Sequence, residues 1–135
     1  MRKALVLCAA LLLPSMGQAQ FVRETLKIPV LPLTATTFEV IEADAAGGSH
    51  IWCAAGLYAR KVLGLERGRL WVARGRQSSD LAPGRKGVIF SVEAVPGEFL
   101  SPIRSVRRPG LSFSIGHANA ICREADWRVR LRSGV

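Results

Sequence analysis

The sequence contains few of the side chains from which catalytic and metal sites are usually built. It has two histidines, His50 and His117, three cysteines and ten acidic residues. It contains no Cys-x-x-Cys pair, no Gly-x-Ser-x-Gly motif and no Walker glycine loop. The common signatures of zinc sites, serine hydrolases and P-loop nucleotide-binding proteins are therefore missing. We expect neither a metal site nor a cofactor.

The sequence has only one long apolar run, the ten residues from Ala4 to Leu13. This run is too short to span a bilayer, which takes about 20 residues. A basic pair precedes it, and Gly17 and Ala19 supply the small residues of a cleavage site. Residues 1–19 are therefore predicted to be a cleaved secretory signal peptide. The protein is expected to be exported, either periplasmic or secreted, and not to span a membrane.

The predicted mature chain is strongly basic, with 17 lysines and arginines against 10 acidic residues. Arginine dominates, and its planar fork suits bidentate contact with phosphate or carboxylate. Outside the cytoplasm nucleic acid is not an expected partner, so we expect an anionic envelope component: a lipid head group, lipopolysaccharide or a cell-wall polymer. The alternative is a solvated surface whose charges protect edge strands from aggregation. The candidate anion-binding residues are Arg74, Arg76, Arg128, Arg130 and Arg132.

Two cysteines, Cys53 and Cys122, remain once Cys8 leaves with the signal peptide. In an oxidising compartment an even number usually indicates a disulfide, and two cysteines allow one intramolecular pairing. The bond would link positions 69 residues apart. The alternative is that Cys53 is a free, reactive thiol.

The segment from Gly47 to Gly64 carries the strongest helix signal of the predicted mature chain. Ser49 is predicted to be the N-cap, with no capping box after it. The helix is apolar on nearly every side, which predicts a core element. Its polar residues, Arg60 and Lys61, lie near the C-terminus, where positive charge suits the helix dipole. Gly64 is predicted to end the helix in a left-handed conformation.

Alternation of apolar and polar residues predicts strands in the rest of the chain. Residues 20–35 contain Pro29 and Pro32 and are predicted to form an extended N-terminal arm with one edge strand. Residues 36–135 are predicted to form a single α+β domain, an antiparallel sheet of about four to five strands with one buried helix on one face and one disulfide. The predicted strands are Thr36–Ala43, Arg69–Arg76, Gly87–Val95, Leu111–Cys122 and Trp127–Arg132, with an irregular basic segment from Phe99 to Pro109. In the last strand Trp127, Val129 and Leu131 are expected to be buried and the three arginines exposed.

The predicted strand Leu111–Cys122 has a register conflict. Its apolar residues Leu111, Phe113 and Ile115 occupy odd positions and therefore share one face of a regular strand. Cys122 is at an even position, so it would lie on the opposite face, away from the core. A bulge at Gly116 would correct this by turning Cys122 inward and His117 outward.

Cys53, His117 and Asn119 form an alternative, catalytic constellation. A cysteine near a helix N-terminus has a lowered pKa, and a histidine on a later strand can act as its base. This chain order is similar to that of papain-like peptidases, including the small NlpC/P60-type cell-wall enzymes. That resemblance implies a cell-wall cysteine peptidase or amidase, although the chain has Trp52-Cys53-Ala54 where such enzymes have an Asp-Cys-Ser/Gly-type sequence. The competing interpretation is that Cys53 is a disulfide partner and His117 a surface residue.

The motif Ser-His-Ile-Trp-Cys-Ala-Ala-Gly-x-Tyr-Ala, taken with Cys122, resembles small secreted bacterial proteins of unknown function. The resemblance covers about residues 36–124 and implies no activity. The sequence therefore favours an exported, non-catalytic domain that binds an anionic envelope component.

Overall fold

The computed structural model describes residues 26–43, 46–97, 104–124 and 129–132. The predicted signal peptide, its cleavage site, Trp127 and Arg128 lie outside these ranges. Within them, neither helix has the length and apolar character needed to span a bilayer. The elements are β1 Leu26–Pro32, β2 Thr37–Ile41, α1 Gly48–Lys61, β3 Arg69–Ser78, β4 Lys86–Ser91, β5 Ser112–Ser114, α2 Ile115–Glu124 and β6 Val129–Arg132.

The strands form one sheet in the order β5-β3-β4-β2-β1-β6. The five strands from β5 to β1 pair antiparallel, which confirms the predicted α+β class and antiparallel sheet. β6 pairs with β1 in parallel, with Leu26 opposite Val129. The prediction of an edge strand in the N-terminal arm is therefore wrong, because β1 has a neighbour on each side.

Helix α1 is the predicted buried helix, and its residues 51–56, 58 and 59 are buried. The predicted N-cap is wrong, because the helix begins at Gly48 with Gly47 as its N-cap. The His50 ring replaces the usual Glu or Gln of a capping box: Gly47 N–H donates to His50 Nδ1 at 2.7 Å. At the other end Gly64 has φ +69°, the left-handed conformation expected of it.

The predicted long strand Leu111–Cys122 is wrong beyond Ser114, where the chain forms helix α2. Ser114 Oγ accepts the His117 N–H at 3.0 Å, as an N-cap side chain does. Ile115, Ala118 and Ile121 are fully buried at the three-residue spacing of one helix face. The helix therefore removes the register conflict at Cys122 without a bulge at Gly116.

The two helices lie side by side and in contact, and they pack against the sheet, α1 mainly over β1 and β6 and α2 over β5 and β3. They approach closely at Gly56, where a Cβ would lie 2.8 Å from Asn119 N and 2.9 Å from Ala118 C. The predicted disulfide is confirmed: Cys53 is bonded to Cys122, with Cα atoms 5.0 Å apart. It joins α1 to α2 and not, as predicted, to a strand.

The core between sheet and helices centres on Trp52, which is fully buried. Its ring packs against Phe90 and Phe113 at centroid distances of 4.9 and 4.6 Å. Leu70 and Val72 of β3 and Val88 and Phe90 of β4 are completely buried, at the two-residue spacing of one strand face. Trp52 also donates its ring N–H to Ser105 O at 3.1 Å, which ties the segment after β4 to the core.

Candidate anion-binding cleft

Arg74, one of the predicted anion-binding residues, is part of an ion-pair network on the sheet. Its Nη2 donates to Glu39 Oε1 at 2.9 Å, and its Nη1 donates to Asp80 Oδ2 at 3.2 Å. The Glu39 side chain is 1% exposed, whereas that of Asp80 is 88% exposed. Ser79 Oγ donates to the second Glu39 oxygen at 3.0 Å. The structure thus places Arg74 against a buried carboxylate.

Arg76, the next predicted residue, makes two hydrogen bonds to the Glu42 carboxylate, through Nε and Nη2. These bonds raise the pKa of Arg76 further above its ordinary value, so the guanidinium is always charged. The Glu42 carboxylate thus neutralises part of the charge of Arg76. Arg76 lines a cleft, and Arg74 does not.

A segment of four residues, Arg104–Arg107, also lines this cleft, and we call it the strap. Three contacts hold its backbone: Trp52 Nε1 donates to Ser105 O, Arg76 N–H donates to Val106 O at 2.9 Å, and the Val106 side chain is buried. The strap is therefore fixed to α1 and to β3. Arg104 and Arg107, at the two ends of the strap, both line the cleft.

The cleft has a volume of about 400 Å³. That size falls within the range of small-ligand sites. Buried apolar side chains form part of its floor, and the start of α1 forms one side. Arg107 is exposed and, among the described residues, makes no side-chain hydrogen bond or ion pair. The lining residues are Ala46, Gly47, Gly48, Ile51, Arg76, Arg104, Ser105, Val106 and Arg107.

The start of α1 carries no acidic residue in its first turn. Its backbone dipole is therefore not offset by a carboxylate within that turn. Ser49 Oγ is 3.5 Å from Arg104 Nη1, so the strap and the helix start are also linked through side chains. Burial lowers the pKa of His50, consistent with a neutral ring that accepts the Gly47 N–H. The arrangement provides cationic and N–H groups around one cleft, which suits an anion.

The other predicted anion-binding arginines have no described side chains. Arg130 and Arg132 lie in β6, whose backbone pairs with β1, and Arg128 falls outside the described residues. The expected burial of Trp127, Val129 and Leu131 is likewise outside the described side chains. A binding surface formed by these three arginines stays a prediction.

The alternative catalytic residues lie on the two helices, not on a helix and a strand. In the structure Cys53 is 1% exposed and its sulfur is bonded to Cys122, so it has no thiol to ionise. His117 is exposed on α2, and its ring packs against Phe113 at 4.8 Å. Asn119 contributes its backbone to the contact with Gly56. In the described part of the chain, no three His, Cys, Asp or Glu side chains are grouped as metal ligands would be.

Arg104 and Arg107 belong to the irregular basic segment predicted from Phe99 to Pro109, but they are not among the predicted binding residues. Arg76 and Arg107 are 31 residues apart, and the strap alone brings them to one cleft. One sequence feature does point to this region: the Gly47-Gly48 pair precedes an apolar helix with no acidic residue in its first turn, as at some anion-binding helix starts. Such a pair more often forms only the turn that leads into a helix. Comparison with protein-family models, with curated proteins and with solved structures found no match to this chain.

Proposed function

We propose that the protein is an exported, non-catalytic domain that binds an anionic component of the cell envelope in the arginine-lined cleft. The ligand classes are a lipid head group, lipopolysaccharide or a cell-wall polymer. One observation carries the proposal: three arginines, Arg76 of β3 with Arg104 and Arg107 of the strap, line one cleft of about 400 Å³ beside the start of α1. Arginine forks match the paired oxygens of phosphate and carboxylate groups.

The charge of the chain supports the same proposal. The net charge of the full sequence is +9 at pH 7. An excess of positive charge raises the local concentration of anions and speeds their association. Within the described residues, Arg74 and Arg76 face acidic partners, whereas Arg107 has none. An arriving anion can therefore bind Arg107 without first displacing a carboxylate from it.

Replacing both strap arginines, Arg104→Gln with Arg107→Gln, should weaken binding to vesicles that contain phosphatidylglycerol by about 30-fold. This estimate assigns about 1 kcal/mol to each basic residue near an anionic surface. Vesicle co-sedimentation at several salt concentrations measures the effect, and the affinity of the wild type should fall with salt because exposed charges are screened. Phosphatidylcholine vesicles serve as the neutral reference.

The matched control is Arg60→Gln with Lys61→Gln, which also removes two positive charges, both of them exposed. These residues lie at the opposite end of α1, about 18 Å along the helix from the cleft. The control should lose no more than about threefold, because these two residues do not line the cleft and their removal lowers the total charge of the protein. Equal losses in the two double variants would contradict a localised site. If only a triple variant, Arg128→Gln with Arg130→Gln and Arg132→Gln, loses vesicle affinity, the binding site lies on the C-terminal strand and not in the cleft.

The export part of the proposal has its own test. Expression of the full chain in a Gram-negative host should release a periplasmic protein whose first residue is Gln20, because the small residues Gly17 and Ala19 define the cleavage site. N-terminal sequencing of the periplasmic fraction measures this directly. A protein that keeps Met1 and stays in the cytoplasm would contradict export.

A further inference from the structure

Two glycines lie where the strap meets the rest of the fold. A Cβ on Gly75, in β3, would collide with the backbone carbonyl of Arg107. A Cβ on Gly48, at the start of α1, would collide with the carbonyl of Arg104. In both cases the obstructing atoms are backbone atoms, which cannot rotate aside as the end of a side chain can. Each strap arginine therefore rests, through its own carbonyl, on one glycine.

The strap has little freedom to absorb a displacement. Between the two arginines, Ser105 O accepts the Trp52 ring N–H and Val106 O accepts the Arg76 N–H. The Val106 side chain is 4% exposed, so it is packed in the core. A methyl group at either glycine would have to push the end of the strap away while its centre stays bound. The Cα atoms of Arg104 and Arg107 would then move, although their charges would be unchanged.

We infer that Gly48 and Gly75 are positioning residues that set the spacing of Arg104 and Arg107, so that the cleft selects compact, concentrated anions of the phosphate class. This inference rests on the proposed anion-binding function. A fixed backbone spacing lowers the cost of bringing the two guanidinium groups to one compact anion, and their forks can meet several of its oxygens at once. An extended polyanion presents many equivalent charges and responds mainly to the total charge of the protein.

The test compares two anions on the exported protein: pyrophosphate, which is compact, and heparin, which is extended. Gly75→Ala should reduce pyrophosphate affinity about tenfold, the equivalent of one charge-assisted hydrogen bond, and change heparin affinity less than twofold. Gly48→Ala, which would displace Arg104 instead of Arg107, should change the two affinities in the same way. Arg107→Gln should weaken the binding of both anions, because it removes the positive charge as well as the guanidinium fork. Titration calorimetry at one fixed salt concentration measures the affinities.

Gly116→Ala is the matched control, since a Cβ at Gly116 meets nothing within 4 Å. It should leave both affinities unchanged. Urea unfolding of each variant establishes that it is folded under the binding conditions. If neither cleft glycine variant folds, Arg107→Lys tests the selectivity of the cleft instead. At this exposed site lysine keeps the charge but lacks the guanidinium fork. The variant should therefore lose pyrophosphate affinity selectively, as expected for the glycine variants.

A parallel measurement distinguishes free phosphate from a lipid head group. Vesicles with phosphatidylglycerol that compete with pyrophosphate would identify the same cleft as a head-group site, whereas vesicles that bind without competing would limit the cleft to soluble phosphates. Unchanged pyrophosphate affinity in folded Gly75→Ala and Gly48→Ala, or equal losses for both anions, would overturn the positioning role. A wild type that binds neither pyrophosphate, heparin nor anionic vesicles would overturn the proposed function itself.

Discussion

Replacing Glu39 with alanine is expected to lower the free energy of unfolding by about 3 kcal/mol, the lower end of the range for breaking a buried ion pair. Glu39 is 1% exposed and accepts hydrogen bonds from Arg74 and Ser79. Without the carboxylate, Arg74 stays partly buried with one acceptor fewer, and the Ser79 hydroxyl loses its acceptor. The value lies at the lower end because the Arg74 side chain is 26% exposed and can turn towards water and Asp80.

The control for this prediction is Asp80→Ala, which removes the other carboxylate bound to the same guanidinium. The Asp80 side chain is 88% exposed, so its pairing is expected to contribute only about 0–1 kcal/mol. Urea unfolding of the wild type and both variants measures the difference as a shift in midpoint at constant slope. A double variant, Glu39→Met with Arg74→Met, should recover much of the loss, because apolar residues of similar volume can replace a buried pair. If Glu39→Ala and Asp80→Ala were equally stable, the buried network would not be an important source of stability.

Glu39 also illustrates what the sequence does not reveal. The alternation in β2 correctly predicts that Phe38 and Val40 share the core face, and this follows from the two-residue period alone. The same rule leaves Glu39 and Ile41 on the opposite face without saying whether that face is covered. Ser79 and Arg74, which cover and pair with Glu39, lie 40 and 35 residues further along the chain. Their proximity depends on strand pairing and on the turn after β3, which local patterns do not specify.

The two helices show the same limit. Helix α1 is predictable because its apolar residues continue for several turns and a left-handed glycine, Gly64, follows shortly after its last residue. Helix α2 has only ten residues and contains Gly116, and the alternating pattern of Leu111, Phe113 and Ile115 continues into its first residue. A helix of that length is marginal alone, and most of its stability comes from tertiary packing. Its contact with Gly56 and the bond to Cys53 supply that packing, and both lie outside the local sequence.

The candidate cleft was less predictable than the fold. The sequence indicates an anionic partner through its excess of arginine, and it marks Arg76 as a candidate. It also marks Arg74, which pairs with Glu39, and omits Arg107, which lines the cleft. That distinction depends on which arginines meet carboxylates in the folded chain.

Removing the disulfide is expected to have the largest effect, a loss of about 4 kcal/mol in the free energy of unfolding. In the chain-entropy account, the bond restricts the unfolded chain by closing a loop, here between positions 69 residues apart. Total stabilities of small domains are about 5–15 kcal/mol, so this bond would supply a large fraction. Cys53→Ala and Cys122→Ala should lower stability similarly, with Cys53→Ala somewhat worse because Cys53 is 1% exposed and its removal leaves a small cavity.

The double variant distinguishes the cross-link from the packing of the two side chains. Because either substitution already removes the whole bond, the double variant should be little less stable than the single ones, a clear departure from additivity. All variants should carry Cys8→Ser so that these two cysteines are the only ones present, and urea unfolding measures their stability. The parent protein in reductant should fall to the level of the single variants. Two titratable thiols in the native, unreduced protein would contradict the bond, and would return Cys53 to the status of a candidate nucleophile.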